Sequence, residues 1–196
     1  MGLLARYLKR RGLPVSTTRE PGGTVIGERI RGILLASSTR GLAPMAELAL
    51  MYAARAQHLE QVVRPALARG EIVLSDRYND ASMAYQGYGR NLGPEVVKAL
   101  DRVICGTTQP NLTLILDLPV RRSLTRAIGR EKRRESRRGR FEAEDLKFHQ
   151  RVRAGYLAIA RLQARRVKLI RADRPVDEIQ SEIRVHVEAL LSRSSR

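Results

Sequence analysis

The chain has 196 residues, with 37 Lys+Arg against 20 Asp+Glu and a formal net charge of +17. At 43% hydrophobic it can bury a core, which excludes wholesale disorder, and no apolar run approaches the ~20 residues of a membrane-spanning helix. The single cysteine, Cys105, excludes an internal disulfide and the small secreted scaffolds, and it fits a reducing compartment such as the cytoplasm. Trp is absent and aromatics are 4%, so the expected core is aliphatic.

Leu3, Leu4, Tyr7 and Leu8 recur at helical spacing, with Gly12 as a stop. This opening is Arg-rich and amphipathic, but it runs straight into a strand, so it is read as a structural helix. Pro14 to Thr18 predicts that strand, and the Pro-Gly-Gly of Arg19 to Thr24 predicts a loop. Helices are predicted over Ile26 to Leu35 and Pro44 to Arg69. Ile72 to Ser75 is a short strand followed by Asp76-Arg77-Tyr78. Ser82 to Gln86 opens or sits in a helix, and Pro94 to Cys105 forms another. Leu112 to Leu116 is a β-rich run ending in Asp117. Helix, basic segment and helix follow to about Arg165, then a strand over Val167 to Ile170 and a closing helix over Val176 to Leu191. Alternating strands and helices predict a single α/β domain over 1–196: a parallel sheet covered by helices on both faces, with strands buried on both sides.

Ligands in such folds bind beyond the C-terminal strand ends. Arg19-Glu20, Asp76-Arg77 and Asp117 lie at three of those ends. Arg19, Arg31, Arg55 and Arg77 come from four segments. Brought together, they form a pocket for a dianion, because a guanidinium fork matches phosphate oxygens. Taken singly, each is an ordinary surface arginine. Asp76 is a candidate for holding Mg²⁺ through water or, more simply, a partner for Arg77. Tyr85 and Gln86 either read a base or sugar edge or pack within a helix. His58 lacks a Cys/His cluster, and Cys105 lacks a base partner and reads as a core thiol.

Between Arg121 and Arg140 lie ten basic residues opposed only by Glu131 and Glu135. Such a block is a solvated face, a nucleic-acid contact, or a lid that closes on nucleotide phosphates.

TREPGG with IGERIR, ELALMYAARAQHLEQVVRPALARGEIVLSDRY, AYQGYGR and GRFEAEDLKFHQRVRAGYLAIA occur in that order. Together they closely resemble bacterial thymidylate kinase, from about Gly2 to Ile170. The resemblance implies a P-loop-kinase-like fold and transfer of the ATP γ-phosphoryl group to dTMP with Mg²⁺, in dTDP biosynthesis. It implies that Arg19 and Glu20 lie near the acceptor nucleotide, with Arg31 in their surroundings. Arg55 would contact the thymine edge, with Met51 against the base and Ser82, Tyr85 and Gln86 lining the base and sugar pocket. Arg77 would bind the acceptor phosphate and Asp76 would organise metal and water. A lid at about 121–142 would place Arg126 on the donor nucleotide and Arg134, Arg137, Arg138 and Arg140 at the transferring phosphoryl. A homodimer is implied, with no membrane partner. Nucleic-acid binding ranks last, because it leaves the strand-end clusters unexplained.

Three departures stand out. Met51 occupies the place of a phenylalanine that stacks on thymine, which leaves dUMP or another monophosphate conceivable. Gly139 stands where the family often has Asp. The chain contains no GxxxxGK[ST] loop, so it resembles a thymidylate kinase beginning roughly 15 to 20 residues late. The expectation is therefore a natural product with an upstream start or, alternatively, an inactive truncated relative that retains dTMP binding. The missing first strand would be central, between those at Ile72 and Leu112. Losing about five buried apolar side chains removes on the order of 10 kcal/mol, comparable to the ~5–15 kcal/mol stability of a whole domain. A low, broad melting transition is expected for the 196-residue chain; a high, sharp one overturns that expectation.

Overall fold

The computed structural model describes residues 1–39, 41–125 and 140–194. In chain order the elements are α1 (Gly2–Arg10), β1 (Val15–Arg19), α2 (Val25–Leu35), α3 (Pro44–His58), α4 (Arg64–Ala68) and β2 (Ile72–Asp76). There follow α5 (Asn79–Ser82), α6 (Pro94–Ile104), β3 (Thr113–Asp117), α7 (Leu146–Leu162), β4 (Val167–Arg171) and α8 (Val176–Ser194). A π turn over Leu59–Val63 joins α3 to α4, so the helix expected from Pro44 to Arg69 is one rod with a wide turn in it. Pro65 supplies the reason: it has no N–H to donate and its ring crowds the preceding turn. A second π segment, Met83–Gly89, extends α5. Thr24 caps α2 through its hydroxyl, which accepts from the Gly27 amide at 2.9 Å, and Asp145 caps α7 by accepting from the Phe148 amide at 2.6 Å.

β1 pairs with β2 and β3 with β4, both in parallel, and no ladder joins β2 to β3 among the described residues. Each strand runs one residue beyond its expected end, so Arg19, Asp76, Asp117 and Arg171 are terminal strand residues. The expectation of strands buried on both sides is corrected. Only Val167 and Ile170 are fully buried among the strand residues, while Leu116 and Leu169 are exposed. Two-stranded sheets leave edges and faces that a continuous sheet would cover.

The core is not purely aliphatic either. Tyr85 lies 5.5 Å from Phe141, 6.1 Å from Phe148 and 6.4 Å from Tyr156, all edge-to-face. The few aromatic rings are concentrated where α7 packs on the Met83–Gly89 segment. Close approach there depends on small residues: a Cβ at Gly155 would lie 2.8 Å from the Tyr88 ring. A second cluster holds Leu48, Tyr52, Leu59 and Val97, and a third joins α1 and α8 through Leu4, Leu8, Ile170 and Ile183.

The sheet pairs are tied by a polar link. Arg166, just before β4, donates to Asp80 Oδ1 at 2.8 Å and Oδ2 at 2.7 Å, and Thr113 of β3 donates to Asp80 Oδ2 at 2.7 Å. Asp80 follows β2, so its carboxylate connects one pair to the other. Asp80→Ala strands a mostly buried guanidinium, and urea titration should show a loss of about 3 kcal/mol.

Candidate active site

The C-terminal ends of β1 and β2 lie side by side, with Arg19 opposite Asp76 in the register. From β1 the chain turns through Gly22 and Gly23 into α2. Gly23 has φ +79°, and a Cβ there would lie 2.8 Å from the His58 ring and 2.9 Å from Thr18 Oγ1. Only glycine fits that approach. The Gly23 amide donates to Glu28 at 3.0 Å, and Glu28 accepts both Arg19 Nη2 contacts at 3.0 Å. The Gly23 amide bond leads in holding the Glu28 carboxyl below its ordinary range.

Arg31, on α2, donates to the Pro21 carbonyl at 2.8 Å. Its affinity for its proton is lowered first by burial, then by the positive charge of Arg19, with Arg77 also contributing. The fold therefore brings three of the four expected arginines, Arg19, Arg31 and Arg77, into one field. Arg77 adopts a left-handed backbone, φ +75°, uncommon outside glycine. Its guanidinium sits 4.8 Å from the centre of the Tyr85 ring and donates to the Tyr85 hydroxyl at 3.3 Å. Tyr85 is thus a support for Arg77 within the aromatic cluster. Asp76 is exposed. Asp117 is committed to Arg153, with contacts of 2.7 and 2.8 Å.

The fourth arginine, Arg55, is buried beneath this cluster. Arg55 Nε donates to Glu20 Oε2 at 2.7 Å and Nη2 to Ser82 Oγ at 3.0 Å, and the guanidinium stacks on Tyr52 and Tyr78. Burial works against its charge, but Glu20 and Tyr52 overcome that penalty, so the guanidinium holds its proton more tightly than usual. His58 Nδ1 meets Glu20 Oε1 at 2.9 Å and its Nε2 meets Thr18 Oγ1 at 2.6 Å. Arg55 Nη1 has no hydrogen-bond partner among the described residues.

Glu47, Met51 and Arg55 form one stripe of α3, each a helical turn from the next. Ser82 and Gln86 face this stripe, Ser82 on Arg55 and Gln86 on Glu47, whose Oε1 accepts from Gln86 Nε2 at 2.7 Å. Glu47 is fully buried and also takes Arg140 Nη1 at 2.6 Å and Arg90 Nε at 3.1 Å on its Oε2. Arg140 is itself buried, with Nε donating to the Leu34 carbonyl at 2.8 Å. It stands here as an internal ion-pair partner, in place of the free lid cation expected from the sequence. Arg126, Arg134, Arg137 and Arg138 lie outside the described residues. Glu47 and the Glu20–His58 contact were missed by sequence reasoning; Glu47 shares the Arg55 stripe of α3, a spacing that was available as a signal, whereas Glu20 comes from the loop after β1 and left none.

The sequence profile of the family described as "Thymidylate kinase" matches residues 1–183. The chain belongs to the thymidylate kinase family. It is 46% identical over 195 residues to a thymidylate kinase of Desulfovibrio desulfuricans, covering 98% of this chain and 90% of that protein. It is 46% identical over 190 residues to that of Pseudomonas putida, covering 97% and 89%. The structure of a thymidylate kinase from Ehrlichia chaffeensis superposes with a TM-score of 0.74 at 27% identity, over 95% of this chain and 88% of that one. The chain is accordingly a phosphotransferase of α/β fold, and no helix among the described residues is long and apolar enough to cross a membrane.

Cys105 is fully buried, and burial pushes its thiol up to about 12; burial likewise raises the Tyr52 and Tyr78 phenols. The native state thus keeps protons that the unfolded chain releases above about pH 9. From neutral pH to about 9 stability should be level, and it should fall as pH rises toward about 12, as urea midpoints across that range will show. Cys105 should also resist alkylation at neutral pH until the chain unfolds.

Proposed function

We propose that this chain transfers the γ-phosphoryl group of ATP to dTMP, giving dTDP and ADP. The observation that carries the reading is the convergence of Arg19, Arg31 and Arg77 at the ends of β1 and β2, beside buried Arg55. Three guanidiniums suit the dianionic phosphate of a nucleoside monophosphate. Arg77 is the principal phosphate ligand, held by Tyr85, while Arg31 and Arg19 extend the positive field. Arg55 presents Nη1 to the base edge, Met51 packs on the base face through its thioether, and Ser82 and Gln86 complete the pocket. Glu20 acts through Arg55 and is a positioning residue.

No cluster of three metal-ligating side chains occurs among the described residues. Magnesium keeps several waters and phosphate oxygens and needs only one or two carboxylates, so the exposed Asp76 at the β2 end suits it. Bound there, Mg²⁺ would offset charge on the phosphates. Arg126, Arg134, Arg137 and Arg138 are proposed as lid cations for the donor and the transferring group, with Arg140 anchoring the lid's C-terminal root on Glu47. Among the described residues no ladder joins β2 to β3, and the reading drawn from resemblance places the strand that leads to the donor-phosphate loop between them. Cytoplasmic action and a homodimer belong to the same reading, and exposed Val25, Ile26, Ile33 and Met45 on α2 and α3 offer apolar surface for a second copy.

Two assays test this: calorimetric binding of dTMP, and ATP-dependent formation of dTDP. Binding with turnover supports the kinase; binding without turnover supports an acceptor-binding relative; absence of both overturns the reading. Arg77→Ala should weaken dTMP binding by about 10²-fold with the melting transition retained, since its side chain is exposed and its loss removes charge-assisted bonds.

A further inference from the structure

We infer that Glu47 is a specificity-determining positioning residue: by fixing the orientation of the Gln86 carboxamide, it selects a pyrimidine whose edge pairs a carbonyl with an adjacent N–H. The inference deepens the acceptor-site reading above and rests on it.

An isolated glutamine carboxamide is ambiguous, because its two ends differ in chemistry but hardly in shape. Either end could face a ligand. Gln86 is fully buried, and one end meets Glu47 Oε1 at 2.7 Å. A carboxylate only accepts, so the end facing it is the NH₂ group. Glu47 cannot turn away, because Arg140 Nη1 holds its Oε2 at 2.6 Å and Arg90 Nε bridges both oxygens at 3.3 and 3.1 Å. Gln86 Oε1 is therefore directed away from Glu47, and it has no hydrogen-bond partner among the described residues.

The same stripe of α3 supplies the complementary group. Arg55 stands two turns beyond Glu47, and its Nη1 is a buried donor without a partner among the described residues. Ser82 ties Arg55 to the helical segment that carries Gln86. The α3 stripe and the segment facing it thus hold one fixed donor and one fixed acceptor. Thymine or uracil answers with O4 as acceptor and N3–H as donor. Cytosine presents an amino donor and an unprotonated ring nitrogen, reversing both, so each contact would set like against like. The discrimination needs no steric contact with the base and survives the presence of Met51 in place of an aromatic ring.

Glu47→Gln tests the assignment, because a glutamine at 47 can accept or donate and frees Gln86 to turn over. The readout is the ratio of dTMP to dCMP affinity by calorimetry, which requires no ATP. The wild-type chain should favour dTMP, and Glu47→Gln should shrink the ratio by about tenfold or more. A purely structural role would weaken both ligands together and leave the ratio unchanged, which overturns the inference while the acceptor reading stands. Failure of the wild-type chain to bind dTMP overturns both. Glu47→Gln also disturbs two buried guanidiniums, so a crystal structure of the wild-type chain with dTMP provides the second measurement. Gln86 Oε1 about 3 Å from thymine N3, with Nε2 still on Glu47, supports the inference. Nε2 turned toward the base overturns it.

Discussion

The interior of this chain is organised around a guanidinium it had to neutralise. Arg55 is 2% exposed, and an isolated charge at that depth would cost several kcal/mol. Glu20 supplies the counter-charge, and Glu20 lies on the loop leaving β1, whereas Arg55 lies in the last turn of α3. Pairing them forces loop and helix together, and His58 adds a second fastening through Glu20 and Thr18. The turn beside it must be glycine, because the His58 ring fills the space a Cβ at Gly23 would need. From this contact the positions of Arg19, Gly23 and α2 follow, and with them the cationic field at the strand ends.

Glu47 repeats the arrangement at the other end of the same helix. There the carboxylate comes from α3 and the cations arrive from elsewhere: Arg90 after the π segment and Arg140 ahead of α7. The two networks bracket Met51, and Ser82 and Gln86 each join one of them. Buried ion pairs seldom add much net stability, but they strongly penalise mispairing. Their value here is geometric: they hold the buried Arg55 and Gln86 polar atoms in defined orientations.

Much of this was legible in the residues themselves. All four strands and the main helices were found from apolar runs, with Gly12 and Gly70 as stops, because short β-branched runs between amphipathic stretches leave few other solutions. Arg19 and Arg77 fall at strand ends in the alternating pattern, whereas Arg31 lies inside α2 and joins them only through the tertiary packing. Tyr85 was assigned to the nucleotide pocket, but the structure uses its ring to support Arg77. The family resemblance groups Arg140 with the lid arginines, and the structure pairs its buried guanidinium with Glu47, a carboxylate 93 positions earlier. Distant pairings of that kind leave no periodicity to read.

By itself, the sequence determined the alternation of strands and helices, the parallel pairing that this alternation requires, and the family through four motifs in fixed order. These are local properties, set by apolar spacing, turn residues and short constellations. Only the tertiary structure decided which carboxylate meets which guanidinium, and hence that Arg55 and Arg140 are buried while Arg77 stays at the surface. It also decided which end of Gln86 faces away from Glu47. A carboxamide's direction depends on its neighbour in space, and Glu47 becomes that neighbour only when α3 and the Met83–Gly89 segment pack together.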